Sequence, residues 1–388
     1  MSVKCQNCGA ENVDNAKYCC ECGNELGFYC RKCGVYNRNG KFCINCGTKN
    51  EPVDWNNAST SCHDYSWDNE YKDESGTYTA DRLVFLEGNY NAKKIEIRRG
   101  TRVICDDALV IDQIFEYAIV EEIIIPDSVT QIGESAFACC INLQSIVIPD
   151  SVTQIGEAAF KYCESLQSIV ISDSVTQIGI DAFWGCKSLQ SIMVSEGNTI
   201  YDSRNNCNAI IETESDILVA GCSQTVVPDS VTQIGEAAFI YCESLQSIVI
   251  PNSVTQIGEQ AFWGCKSLQS IVIPDSVTQI EYCTFSFCSS LQSIVIPDSV
   301  TQIGERVFWE CISLQTIVIP DSVTQIGERV FWGCISLQTI VIPDSVTQIG
   351  SEAFRDCKSL QSICIPKGTI EKFKKLIDPK CHYLIEEV

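Results

Sequence analysis

Residues 148–170 read IPDSVTQIGEAAFKYCESLQSIV, and nearly the same 23 residues recur nine times between Pro126 and Pro366. A period in the twenties is the mark of a solenoid. The phase holds along the chain: the phenylalanines fall at Phe137, Phe160, Phe183, Phe239, Phe262, Phe285, Phe308, Phe331 and Phe354. Every step is 23 except one of 56, which contains an irregular coil of 33 residues over 195–227. One coil cannot bury its own apolar side, so the repeats must stack, and a stack presents long surfaces rather than a pocket. Binding is the leading expectation, ahead of catalysis.

Within a repeat, Leu143, Ile146 and Ile148 follow a strand-like alternation, with Ile146 and Ile148 inward and Ser145 and Val147 outward. Pro149-Asp150-Ser151 turns the chain, Val152 and Ile155 look inward again, and Gly156 breaks the second extended stretch. Glu157 to Phe160 is expected to open a short helical arc with Ala159, Phe160 and Cys163 on one side. Each coil therefore sends about eight apolar groups inside, a count that follows from these two periodicities.

The pattern I-P-x-S-V-T-x-I-G-x-x-A-F-x-x-C-x-x-L resembles the BspA-type leucine-rich repeat, and the resemblance covers roughly residues 93–366. It implies a right-handed repeat solenoid with a parallel β-sheet on one face and short helical arcs. It also implies kinship with bacterial surface, adhesion and interaction proteins. The chain departs from such proteins in two ways: its first thirty residues are polar and cysteine-rich without an apolar core of the signal-peptide kind, and a small cysteine-rich module precedes the repeats.

At 388 residues with 45% hydrophobic content, the chain can bury a sizeable core. Its formal charge of −23 is unevenly placed: residues 81–388 carry 39 acids against 19 Lys plus Arg, whereas residues 1–50 carry 4 against 7. An acidic body repels nucleic acid and anionic membranes. No apolar run approaches the ~18 residues needed to span a bilayer. The 26 cysteines do not suggest a secreted disulfide scaffold, because such scaffolds are short chains that lack a core. A reducing, cytoplasmic location is expected; export to the cell surface by a non-classical route is the alternative.

Residues 1–50 hold four C-x2-C knuckles, Cys5/Cys8, Cys19/Cys22, Cys30/Cys33 and Cys43/Cys46, each followed by Gly. Two thiolates three positions apart reach one ion from a single tight turn, and the glycine lets the backbone turn in towards sulfur. Two knuckles close a tetrahedral S4 shell without an open position, the signature of structural zinc. Sequential pairing assigns Cys5, Cys8, Cys19 and Cys22 to one zinc and Cys30, Cys33, Cys43 and Cys46 to a second. A disulfide framework and an iron site are the competing readings. The segment resembles tandem zinc ribbons of the double-zinc-ribbon type. Eight thiolates and two divalent ions would take the module's formal +3 to about −1, which weakens a case for nucleic-acid binding through residues 1–50.

Residues 51–80 are acidic and read as a tether, although five aromatics (Trp55, Tyr65, Trp67, Tyr71 and Tyr78) suggest that part packs on the first coil. The solenoid is expected over 81–366, with residues 93–125 as a degenerate first coil and Asn208 to Val219 as a hairpin in the irregular coil. Residues 367–388 are expected to form a helical cap, with Ile370, Phe373 and Leu376 at helical spacing.

Three columns invite functional readings. The cysteines after each phenylalanine, from Cys140 to Cys357, read as small buried hydrophobes, and the aspartate column Asp127, Asp150, Asp173, Asp229, Asp275, Asp298, Asp321 and Asp344 as caps of their own turns. The outward strand positions are monotonous, Ser or Thr beside Val, which suits a repetitive ligand, self-association or simple filling of a sheet. Variation collects on the arc, so Trp184, Trp263, Trp309, Trp332, Tyr162 and Tyr241 are the candidate partner-binding residues. Only two histidines are present, and no nucleophile elbow, phosphate loop or H-E-x-x-H motif appears. The expectation is a non-enzymatic protein-interaction scaffold with no small-molecule substrate. A nucleic-acid-associated regulator and a surface adhesin are the alternatives.

Overall fold

The computed structural model describes residues 58–62, 70–79, 84–110 and 117–388, together with the short strands Val3–Lys4, Glu11–Asn12, Phe28–Tyr29 and Tyr36–Asn37. The chain divides into two compact units, Met1–Phe183 and Trp184–Val388. Each contains stacked 23-residue coils with parallel strands at two corners and little helix.

In the first unit Tyr71–Lys72, Gly76–Tyr78 and Val84–Gly88 form an antiparallel meander. Its last strand pairs in parallel with Val103–Ile104, and the ladder continues through Gln131–Ile132, Gln154–Ile155 and Gln177–Ile178. Tyr78, in the segment read as a tether, is fully buried, makes a tilted ring contact with Phe85 at 5.1 Å, and its hydroxyl accepts the Arg98 N–H at 3.1 Å. Ala58 and Cys62 pack on Val84, Leu86, Val103 and Cys105. These groups cover apolar surface that the first coil would otherwise leave wet. Trp55, Tyr65 and Trp67 lie outside the described residues.

In the second unit the irregular coil forms a hairpin, Ala209–Glu212 against Ile217–Gly221. Its second strand pairs in parallel with Gln233–Ile234, taking the place that a Gln-Ile strand holds in an ordinary coil. Arg204 pins the insertion by donating to Asp202 at 2.6 Å and Asp216 at 2.5 Å. At the far end the helix Ile370–Leu376 buries Phe373, a 3-10 turn follows over Pro379–Leu384, and the strand Ile385–Glu387 pairs with Ser362–Ile365. Exposed Glu386 and Glu387 discourage further pairing at that sheet edge.

The inward set of the coil read at 148–170 is buried throughout: Ile148 is 4% exposed, and Val152, Ile155, Ala159, Phe160, Cys163, Leu166 and Ile169 are each at most 1% exposed. The phenylalanines stack along each unit, with Phe239, Phe262, Phe285, Phe308, Phe331 and Phe354 spaced by 5.1–5.9 Å in near-parallel planes. Burying one such ring contributes about 1.5–3 kcal/mol.

The expected helical arcs are absent among the described repeats; the arc is a run of turns. Alternate N–H groups point in different directions. Ser135, Phe137 and Cys139 donate to the carbonyls of Glu157, Ala159 and Lys161 on the next coil, at 2.8, 2.9 and 2.7 Å. Ala136, Ala138 and Cys140 donate to residues three positions back. An α-helix needs every N–H to reach four residues back with negative φ throughout. Here two residues per coil have positive φ, as Ala237 and Tyr241 do at 53°, which tips every second amide towards the neighbour.

The glycine after each Gln-Ile strand has a different cause, close approach. A Cβ on Gly258, Gly304, Gly327 or Gly350 would lie 2.3–2.9 Å from the backbone of the preceding coil. One coil carries Glu281 in this column, and the ladder opens there. Between the other regular coils a threonine N–H bonds the threonine carbonyl of the preceding coil, and the glycine N–H bonds its isoleucine carbonyl, as in Thr301 to Thr278 and Gly304 to Ile280. Among the described residues no such bonds or strand pairing join Thr278–Glu281 to Thr255–Ile257, although the arc bonds of these coils persist, as from Phe262 to Thr284 at 2.9 Å. The Glu281 Cβ holds the two corners apart.

E281G is therefore expected to close the seam and stabilise the second unit by about 1–2 kcal/mol, the gain of two or three hydrogen bonds less the added chain entropy. G327A should open a second seam at a cost of about 2 kcal/mol or more. Urea unfolding of the full-length variants checks both signs; a destabilising E281G would show that the seam has another cause.

Candidate interaction surfaces

The arc gathers five of the six predicted partner-binding residues. In the second unit Trp184, Tyr241 and Trp263 contact one another with centroids 5.6–6.2 Å apart, and the row continues through Phe287 to Trp309 and Trp332 at 5.0–6.2 Å steps. Tyr162 belongs to the first unit, where Lys161 lies 5.7 Å from its ring. Phe287 was missed because its column is mixed, holding Cys139, Gly185, Gly264, Glu310, Gly333 and Asp356 beside the aromatics. The signal lies within that column: the Tyr241 ring covers Gly264 of the next coil, where a Cβ would stand 2.8 Å from it.

This row is packed against its own neighbours. All six predicted residues are half-buried. Arg306 lies 5.4 Å from the Trp309 ring, while Arg329 and Arg355 lie 5.2 and 4.6 Å from that of Trp332. The Trp332 Nε1–H donates to Asp356 Oδ2 at 3.0 Å. Arg329 also donates to Glu352 at 2.7 Å, and the two arginines beside Glu352, Arg329 and then Arg355, hold its carboxyl below the usual range. The rings at this end already have cation–π partners.

The strand face is different. In the second unit Val249, Val272, Val295, Val318 and Val341 stand in register on successive parallel strands and are 39–82% exposed. In the first unit Val147 and Val170 are likewise exposed. Beside the valines run exposed glutamines and uncharged serines or threonines. The turns after the Val147, Val170, Val272, Val295, Val318 and Val341 strands carry an exposed aspartate, and the turn after Val249 carries Asn252. The aspartates do not cap their turns among the described residues; the following serine does the bonding, as Ser151 Oγ donates to Val129 O of the preceding coil at 2.6 Å. Serine wins because its hydroxyl can donate to a carbonyl and an ionised carboxylate cannot.

The cysteine column is buried, with one role beyond filling space. Cys163 donates its S–H to Phe137 O at 3.2 Å, and Cys265, Cys288, Cys311, Cys334 and Cys357 do the same to the phenylalanine 26 residues earlier at 3.0–3.2 Å. The thiol supplies a second donor to a carbonyl that already accepts a turn N–H. Burial pushes the Cys140 and Cys357 thiols up to about 12, and those of Cys265, Cys311 and Cys334 well above the ordinary value.

The basic ends of the repeat region make contacts within the chain: Lys93 and Lys94 pair with Glu121 and Glu122, and Lys372 with Asp344. The zinc ligands expected at Cys5, Cys8, Cys19, Cys22, Cys30, Cys33, Cys43 and Cys46 lie outside the described residues. Among the described residues no three His, Cys, Asp or Glu side chains are arranged to hold a metal, and no helix is long and apolar enough to cross a membrane.

A family model described as the BspA type leucine rich repeat region matches in six copies over residues 109–213, 220–338 and 324–381. Among solved structures, the chain is similar to a leucine-rich repeat protein from Eubacterium ventriosum, with 24% identity and a TM-score of 0.58 over 76% of this chain and 81% of that one. It is also similar to a leucine-rich repeat protein from Bacteroides ovatus, with 27% identity and a TM-score of 0.47 over 82% and 90% of the two chains. A leucine rich cell surface protein from Faecalibacterium prausnitzii gives 24% and 0.47 over 79% and 96%. A search of curated proteins gives no match.

The thiol geometry predicts selective labelling. Because burial shields the column thiols and pushes their pKa values up, iodoacetamide at mildly alkaline pH should label the half-buried Cys139, Cys364 and Cys381 in the native protein while Cys265, Cys288, Cys311 and Cys334 stay unmodified until urea is added. Peptide mapping reads the outcome; labelling of the column in the folded protein would contradict the S–H···O arrangement.

Proposed function

We propose, for a chain that belongs to the BspA type leucine-rich repeat family, a non-enzymatic role in which the repeat region holds protein partners on its strand face. The carrying observation is the contrast between the two long surfaces. The aromatic row of the arc is half-buried, its rings packed on one another and, at Trp309 and Trp332, under arginines, whereas the valine row is the long run of apolar side chains most open to water. Extended exposed apolar surface is characteristic of contact sites. The strand face thus replaces the arc as the favoured partner surface.

Two structural zinc ions complete the proposal, held by Cys5, Cys8, Cys19 and Cys22, and by Cys30, Cys33, Cys43 and Cys46. Four thiolates per ion suit tetrahedral Zn2+. Backbone pairing supports the sequential assignment. Val3–Lys4 pairs with Glu11–Asn12 around the stretch carrying Cys5 and Cys8, and Phe28–Tyr29 with Tyr36–Asn37 around the stretch carrying Cys30 and Cys33. The same hairpin thus recurs after 25 residues, each time followed by one further knuckle. Such ligands must stay reduced, which suits a cytoplasmic setting. The module serves as a structural element or as a second contact.

The test is a pull-down from reduced native lysate with full-length wild type, V249K/V295K and W309F/W332F, each checked for folding by circular dichroism. The strand-face variant should lose most partners that wild type recovers, and the arc variant should keep them. Loss confined to the arc variant would overturn the assignment, and loss on nuclease treatment would favour a nucleic-acid-associated regulator acting through residues 1–50.

A further inference from the structure

Resting on that role of the strand face, we propose that its partner presents a cationic amphipathic helix, with an apolar row flanked by lysine or arginine. The face is a ruled surface. Val249, Val272, Val295, Val318 and Val341 repeat at the spacing of neighbouring strands, roughly 4.8 Å, because each strand pairs in the same register with the next, through Ser293 and Thr316 at the middle step. An α-helix laid along this row offers an apolar side chain about every 5.4 Å, one per turn. Over five coils the mismatch accumulates to only about 2–3 Å, so each turn meets one coil. An extended segment along the same path offers a side chain on one face only about every 6.7 Å and falls out of step by the third coil.

Charge selects the flank. The row itself and its serine, threonine and glutamine neighbours are uncharged. The turns leaving the strands carry Asp275, Asp298, Asp321 and Asp344, all exposed. Among the described residues only Asp344 has a cation, Lys372 at 2.9 Å; Asp275, Asp298 and Asp321 have none. A file of like charges at strand spacing repels itself, and a partner bringing cations beside its apolar row relieves that repulsion. A second copy of this chain would bring an aspartate file of its own, on a body that already carries excess negative charge. The complementary surface is therefore a basic one.

The experiment uses the full-length chain and a labelled leucine/lysine helical peptide of about 18 residues, long enough for five turns, with a leucine/glutamate peptide as counterpart, read by fluorescence anisotropy. The leucine/lysine peptide should bind and its counterpart should not. D275N/D298N/D321N should weaken binding about five- to tenfold and flatten its salt dependence, as expected for three partly screened charges. V249T/V295T should weaken binding without changing the salt slope. E214Q/E236Q/E259Q, which removes the same charge from other surfaces, should stay within about twofold of wild type. Equal losses in the two charge variants would mean general attraction to an acidic protein and would overturn the proposal. So would failure of the peptide to bind. If the peptide fails while lysate partners still require the strand face, the helix class falls and the strand-face role stands; if the lysate partners ignore that face, both fall.

Discussion

The structure depends on how closely one coil's backbone can lie on the next. At the corner after each Gln-Ile strand the approach leaves no room for a side chain: a Cβ on Gly179 or Gly350 would stand 2.3 Å from the preceding coil. From this contact follow the threonine and glycine N–H bonds between coils, the near-parallel stack of phenylalanines, and the S–H···O bonds that reach back one coil. Glu281 is the natural counter-example. One added side chain opens one corner, yet the opposite sheet remains paired through Ser247–Val249, Ser270–Val272 and Ser293–Val295. Stability in such a stack is a sum of neighbour terms, so the defect stays local.

Much of this was legible in the sequence, and the parts that were not share a cause. The period, the eight inward positions of a coil, the outward valines and the hairpin of the irregular coil follow from which residues are apolar and at what spacing. The arc was misread because Ala159, Phe160 and Cys163 have the same apolar spacing on a helical turn as on a chain of tight turns. What separates the two is where the backbone N–H groups go, and that depends on a neighbouring coil the local sequence does not contain. One signal did exist. The positive-φ columns, among them Ala158, Tyr162, Asp181, Tyr241, Gln260, Phe287, Arg306 and Glu352, hold no β-branched residue, although their identities otherwise vary widely. Likewise the cysteine column was legible as buried but not as hydrogen-bonded, since its acceptor lies 26 residues away.

The same geometry separates the two long surfaces. On the arc, large side chains fold over the glycines of the next coil and find arginines, so variability there reflects packing between neighbours: Tyr241 with Gly264, Trp332 with Arg329 and Arg355. On the strand face, in-register pairing sends the valines at the centre of each strand outward, and they are exposed among the described residues. A uniform surface of this kind is poorly suited to one irregular partner and well suited to a partner with its own regular rise. The family relationship accounts for the architecture, while the aspartate file and the uncharged row give this chain's face its particular chemistry.

Amide hydrogen exchange on the full-length protein tests most directly the claim that coil-to-coil backbone contact carries the structure. The account requires slow exchange at the arc amides of Phe239, Phe262 and Phe308 and at Gly258, Gly304 and Gly327, all of which donate to a neighbouring coil. It requires markedly faster exchange at Thr278 and Glu281, whose counterparts in other coils are bonded. Uniform protection across Glu281, or arc amides that exchange as fast as free turns, would contradict it.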